Sequence, residues 1–258
     1  MRRDGCGAFT SMPDPLVSVR ALTKRFGGLV AVRAVSFDVA PSEIFGVIGP
    51  NGAGKTTLFS CLTGAQRPTS GSVHLRGERL DGLPVWAVVH RGLVRTHQIV
   101  RPFREMTVAD NVAVGARFGR GRRRGTDEKS RIRDILARTG LGVRAGSLAG
   151  TLTLGELKRL EIARALAAEP DVLCLDEIMG GLNPVEINAA MTLVRELRDE
   201  GLTILLIEHH VHAVVGLSDR ILVLNFGERI AEGRPEEVLG DPAVVAAYFG
   251  DAPREAAL

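Results

Sequence analysis

The sequence predicts an α/β fold built on a mixed sheet. Short apolar runs alternate with helix-patterned segments, a glycine-rich anion loop joins one run to a helix, and a later run ends in adjacent acids. Glu43-Ile44-Phe45-Gly46-Val47-Ile48 reads as a buried strand. Gly49-Pro50-Asn51-Gly52-Ala53-Gly54-Lys55-Thr56-Thr57 follows it and satisfies G-x-x-x-x-G-K-[ST], the phosphate-binding loop. Gly49, Gly52 and Gly54 let the backbone close into a nest of inward N–H groups. Lys55 adds positive charge for terminal phosphates, and Thr56 offers a hydroxyl to Mg²⁺. Thr57 to Leu62 continues as a helix ending at Gly64. Strand, loop and helix together aim a helix N-terminus at phosphate.

The chain of 258 residues allows one large domain or two small ones, and its 45% apolar content supports a sizeable core. A net charge of +3 does not argue for nucleic acid. Cys6, Cys61 and Cys174 are far apart and lack metal-ligand spacing, and the last two read as small buried apolar side chains. This usage fits a reducing cytosol. No apolar run approaches the roughly 18 residues of a membrane span, and the basic start has no apolar signal core after it. Residues 1–14 are expected to be disordered, residues 15–250 to form one domain, and residues 251–258 to be a tail. Work at a membrane would then require a partner.

Leu16 to Arg20 alternates like an edge strand, as does Val35 to Val39, and Gly71 to Gly77 is a short strand bounded by glycines. These pieces predict a small antiparallel sheet beside the phosphate-binding core. From about residue 84 to 168 the pattern is mostly helical, an inserted helical subdomain. Thr107 to Val114, Ser130 to Thr139 and Leu157 to Ala168 have helical spacing, the last stopping before Pro170. Between the first two lies the Arg-rich stretch Arg117 to Arg133, read either as a solvated loop or as a contact for lipid headgroups or a protein partner. Apart from Phe118, no aromatics interleave its arginines, which disfavours nucleic acid.

The core resumes at Val172 to Leu175, an apolar strand that ends in Asp176 and Glu177. Strand ends face the ligand crevice in such sheets. Asp176 is placed to help hold hydrated Mg²⁺, and Glu177 to polarise water toward a γ-phosphate. Asn183-Pro184-Val185-Glu186 reads as a capped helix start, with Asn183 the cap, Pro184 at the first position and Glu186 closing a capping box. That helix runs to Glu200 and Gly201 ends it. Thr203 to Ile207 is another buried strand. Arg220 to Leu224 and Glu228 to Ala231 flank Asn225-Phe226-Gly227, a hairpin signal.

Thr151-Leu152-Thr153-Leu154-Gly155-Glu156 resembles the signature of ABC ATPases, whose consensus is Leu-Ser-Gly-Gly-Gln. Leu152 and Gly155 match, Thr153 keeps the hydroxyl, Glu156 stands for Gln, and Leu154 replaces a glycine. A hydroxyl, a glycine N–H and a helix N-terminus make an anion site. Further motifs follow in the family's order. Phe26 resembles the aromatic that stacks on adenine. Gln98 resembles the glutamine that touches Mg²⁺ and couples to the membrane subunit. Gly181-Leu182-Asn183-Pro184 resembles the loop that crosses between two ATPase subunits, and His209 the switch histidine that reaches the γ-phosphate. Ile178 stands where the family usually has Pro, and His210 where it often has Asp. Of the other histidines, His74, His90, His97 and His212 read as surface or packing residues.

Arg95-Thr96-His97-Gln98, Phe103 to Val108, Arg159 to Arg164, Gly181-Leu182-Asn183-Pro184, Ile207-Glu208-His209 and Ala247-Tyr248-Phe249-Gly250 narrow the resemblance to the ATP-binding subunits of branched-chain (hydrophobic) amino-acid importers. Urea and amide importers share much of this pattern, and a soluble non-transport ABC ATPase is a further reading. The resemblance implies ATP and Mg²⁺ as cofactors. Gly49 to Thr57, Phe26, Gln98 and Asp176 would form the nucleotide site in one chain, with Thr153, Gly155 and Glu156 supplied by a second. Thr56, Gln98 and Asp176 would face the metal, and Glu177 and His209 would be catalytic. It also implies a second ABC ATPase subunit, identical or different, integral membrane permeases and, indirectly, a solute-binding protein. The chain would then sit peripherally on the cytoplasmic face of the inner membrane, with no nucleic-acid partner.

Overall fold

The computed structural model describes residues 14–97, 100–120 and 128–249. β1 (Val17–Phe26) and β2 (Leu29–Val39) lead into β3 (Ile44–Ile48) and α1 (Lys55–Leu62). β4 (Ser70–Leu75), β5 (Glu78–Arg79), α2 (Val85–Arg91) and β6 (Leu93–Arg95) follow. Next come α3 (Val108–Phe118), α4 (Glu128–Arg138) and α5 (Leu154–Ala167). The chain then runs through β7 (Val172–Asp176), α6 (Pro184–Asp199), β8 (Thr203–Ile207) and α7 (Val211–Leu217). β9 (Arg220–Asn225), β10 (Glu228–Gly233), α8 (Pro235–Leu239) and α9 (Pro242–Phe249) complete it.

The central sheet has the order β10-β9-β3-β8-β7-β6. Its strands are parallel except β10, which pairs antiparallel with β9, so the sheet is mixed as expected. β3, β7 and β8 are buried along their whole length, which is why each reads as a continuous apolar run. The second sheet, β2-β1-β4-β5, is antiparallel throughout. One apolar cluster fills the space between the two sheets around α1, and another packs α3 to α7 on the opposite face of the central sheet. Burial pushes the Cys61 thiol up to about 11 and Cys174 to about 12, so both are inert packing residues.

The structure corrects several boundaries. Leu16 to Arg20 does not form an edge strand: β1 extends to Phe26 and lies between β2 and β4. Alternation reports one buried face, not lateral position in a sheet. Val35 to Val39 is only the second half of β2, the true edge. The helical stretch expected over about 84–168 contains β6, which pairs with β7 in the central sheet. Three residues are too few for periodicity to show. Thr107 caps α3 through its hydroxyl, and α5 starts at Leu154 rather than Leu157. Arg117 lies on α3 and pairs with Glu128, while Arg131 lies on α4 and pairs with Glu169. Residues 121–127 of the Arg-rich stretch, nearly all of the expected disordered N-terminus and the expected tail fall outside the described residues. Among the described residues, no helix is long and apolar enough to cross a membrane.

Phe45 joins the two sheets. It points from β3 onto Phe37 of β2, with ring centroids 5.1 Å apart, and the Arg220 guanidinium lies 5.2 Å from its ring. Phe45→Ala should therefore cost about 3–5 kcal/mol of unfolding free energy in urea titrations. A loss below about 1 kcal/mol would mean the sheets do not rely on this contact.

Candidate active site

β3, β8 and β7 are neighbours and parallel, so the turns that follow them leave the same edge of the sheet. β3 runs into the phosphate loop, β7 into Asp176-Glu177 and β8 into Glu208-His209. The loop glycines have the backbone expected of them, with φ of 150 at Gly49, 81 at Gly52 and 102 at Gly54. A Cβ on Gly49 would fall 2.1 Å from the Leu224 carbonyl oxygen, and one on Gly54 would fall 2.3 Å from that of Ala31. The loop is thus pressed against β9 and β2. From behind, Gly227 N–H donates to the Ala53 carbonyl at 3.0 Å. Gly227 and Phe226, both left-handed, form the tight β9–β10 turn.

Phe26, the loop from Asn51 to Thr57, Glu177 and His209 border one cleft of about 640 Å³, a size suited to a nucleotide. Phe26 is 45% exposed at its rim, with Lys24 Nζ 4.8 Å from the ring centroid. Lys55 Nζ donates to the carbonyls of Gly49 at 2.6 Å and Pro50 at 3.0 Å. Burial lowers its pKa, and the charges of Glu177 and Asp176 oppose that shift. Glu177 takes a left-handed backbone, φ 50, which costs a residue with a side chain about 1–3 kcal/mol. His209 Nε2 donates to Glu177 Oε1 at 2.7 Å.

Asp176 is held one step deeper. Its Oδ2 accepts from Arg95 at 2.5 Å, and its N–H donates to the Thr96 hydroxyl at 3.2 Å. Its Oδ1 is buried and has no hydrogen-bond partner. A second cavity of about 410 Å³ brings Asp176 beside Thr56. Gln98 lies outside the described residues.

Thr153, Gly155 and Glu156 are not in the cleft. They open α5, where the Thr153 hydroxyl accepts from Glu156 N–H at 3.3 Å and Glu156 returns the bond to Thr153 N–H at 2.9 Å. Glu156 therefore serves as a cap in this chain. Leu154 is the first helical residue and 48% exposed, so this position does not need glycine's freedom. Gly155 does have a steric reason: a Cβ there would lie 2.4 Å from Glu186 Oε1, in the capping box that Asn183 and Glu186 form at α6. That box has the residues and roles expected. Ile178 is buried in the core in place of the usual proline.

Sequence reasoning missed Arg95, Thr96, Lys158 and Glu208. Lys158 Nζ donates to the Glu177 carbonyl at 2.9 Å, and Glu208 accepts from Met179 N–H at 2.8 Å. Burial pushes Glu208 up to about 7. The available signal was a charge closing an apolar strand (Arg95, Glu208) or set inside an otherwise well-patterned helix (Lys158).

A phosphate loop, a strand-end acid pair and a histidine on one edge of a mixed sheet make the arrangement of a P-loop nucleoside triphosphatase. A sequence profile described as ABC transporter matches residues 32–180, and one described as branched-chain amino acid ATP-binding cassette transporter matches residues 228–253. The chain is 44% identical to the high-affinity branched-chain amino acid transport ATP-binding protein LivG of Escherichia coli K12, over 93% of this chain and 100% of LivG. It is 42% identical to BraF of Pseudomonas aeruginosa, with the same coverage. Among solved structures, a nucleotide-free ATP-binding cassette from an ABC transporter superposes with a TM-score of 0.83 at 30% identity, over 92% of this chain and 100% of that one. The ADP conformation of an ABC transporter cassette gives 0.83 at 31%, over 92% and 99%. The chain belongs to the ABC transporter ATP-binding family.

Arg95 and Asp176 form a buried pair, with side chains 11% and 2% exposed. Arg95→Met would strand the carboxylate, and should destabilise the chain by about 3–5 kcal/mol in urea titrations. A change under about 1 kcal/mol would show that the pair is not holding Asp176.

Proposed function

We propose that the chain is the ATP-hydrolysing subunit of an ABC importer for branched-chain or other hydrophobic amino acids. One observation carries the hydrolytic part: the phosphate loop, Glu177 and His209 share a single cleft. The 44% identity to LivG over nearly the whole chain, with the C-terminal profile match, supports the amino-acid part. No comparable observation favours a urea or amide importer or a soluble non-transport ATPase.

The cleft would take adenine against Phe26 and the phosphates in the nest of Gly49 to Thr57. Lys55 would exchange its loop carbonyls for phosphate oxygens. Glu177 would orient the attacking water and accept its proton, and His209 would turn from Glu177 toward the γ-phosphate. Phosphoryl transfer depends chiefly on such positioning and charge stabilisation. The unpartnered Asp176 Oδ1 and the adjacent Thr56 hydroxyl fit a hydrated Mg²⁺, which would neutralise phosphate charge when bound. Gln98 is assigned to the same ion by resemblance. Among the described residues, no cluster of three or more His, Cys, Asp or Glu could hold a metal alone. That suits an ion that arrives with phosphate.

Thr153 and Gly155 lie away from their own cleft, at a helix N-terminus suited to an anion. A second cassette, identical or different, would bring this element to complete the site, with Glu156 behind it as the cap. Membrane permeases would receive the motion near Gln98, with a solute-binding protein delivering cargo outside. The chain would then be peripheral, on the cytoplasmic face of the inner membrane.

Reconstitution with the permeases should give ATP-dependent uptake of labelled leucine. Lys55→Ala should weaken ATP binding roughly 10- to 100-fold and stop uptake. Unchanged ATP affinity in the variant would refute the site, and uptake of urea in place of leucine would refute the cargo.

A further inference from the structure

The left-handed turn at Glu177 is gripped from two directions by buried titratable side chains that hydrolysis itself does not use. Its N–H donates to the Ile207 carbonyl of β8 at 2.9 Å, an ordinary ladder contact. Its carbonyl accepts from Lys158 Nζ at 2.9 Å, and Met179 N–H donates to Glu208 Oε1 at 2.8 Å. Lys158 is 6% exposed and Glu208 3%. Burying such polar groups is costly, and apolar side chains of similar size would fill the space more cheaply. Strain of this kind persists only where the surroundings over-determine it.

Lys158 lies about one turn from the N-terminus of α5, which carries Thr153 and Gly155. A cavity of about 310 Å³ separates this part of α5 from α6 and is lined by Gly155, Lys158, Ile178, Leu182 and Glu186. It leaves α5 room to shift against the turn.

We propose that Lys158 and Glu208 are positioning residues that clamp the Glu177–Met179 turn, and that Lys158 ties the catalytic carboxylate to the helix that meets the neighbouring cassette's nucleotide. The proposal rests on the ATPase reading above. Nucleotide drawn onto the start of α5 pulls, through Lys158, on the backbone of Glu177 in the other site. The two sites of a cassette pair are thereby linked through one side chain in each subunit.

The test uses the full chain in the reconstituted transporter with Lys158→Met, Lys158→Arg, Glu208→Leu and Glu208→Gln. Lys158→Met and Glu208→Leu should lower kcat by about tenfold or more while ATP affinity stays unchanged, the signature of a misplaced group and not of a damaged binding site. Amide exchange at Met179 should quicken in both. Lys158→Arg keeps a donor and Glu208→Gln keeps an acceptor, so both should restore most of the turnover. Wild-type kcat in Lys158→Met, a matching loss of ATP affinity, or unchanged Met179 exchange would overturn the proposal. If Lys158→Met does not fold, Lys158→Met/Glu208→Gln strands no charge and should show the same slow turnover with intact binding; wild-type turnover there would equally overturn it. Absence of ATP turnover in the unsubstituted transporter would count against the ATPase reading, and Met179 exchange would still decide the clamp.

Discussion

Parallel pairing of β3 with β8 and of β8 with β7 is the constraint on which the site depends. It sends the phosphate loop, the Glu208-His209 turn and the acidic turn out of one edge of one sheet. Antiparallel pairing would separate them by the length of a strand. The register is fixed by burial on both faces, since a slip of one residue would turn Phe45 away from Phe37 and into the helical layer. The glycines complete the arrangement by letting the loop lie against the carbonyls of Leu224 and Ala31, where no Cβ fits.

The polar groups of the site are held by protein partners, Asp176 Oδ1 excepted. Lys55 rests on loop carbonyls, Asp176 on Arg95, and His209 on Glu177. Two of the departures from the family pattern are accommodated locally. Leu154 sits at a helical position with its side chain largely outside, and Ile178 joins the core.

What was legible in the sequence was local. The phosphate loop, the Asp176-Glu177 strand end and the Asn183–Glu186 capping box each follow from the spacing of a few neighbouring residues. What was not legible depends on chain segments that meet only after folding. Arg95 reaches Asp176 from a three-residue strand that has no period of its own. Lys158 reaches the Glu177 turn from α5, on another part of the chain. Gly155 matches the family signature, but its need to leave room for Glu186 is visible only once α5 and α6 are packed. The lateral place of β1 was misjudged because alternation does not encode sheet order.

The most direct test of the account is ATP hydrolysis by Glu177→Gln beside the unsubstituted protein, with ATP binding measured on both. The amide keeps the shape of the side chain and removes its basicity. ATP affinity should persist while Mg²⁺-dependent turnover falls by about 10²-fold or more. Turnover equal to the unsubstituted protein would contradict the assignment of Glu177, and with it the reading of this sheet edge as a hydrolytic site.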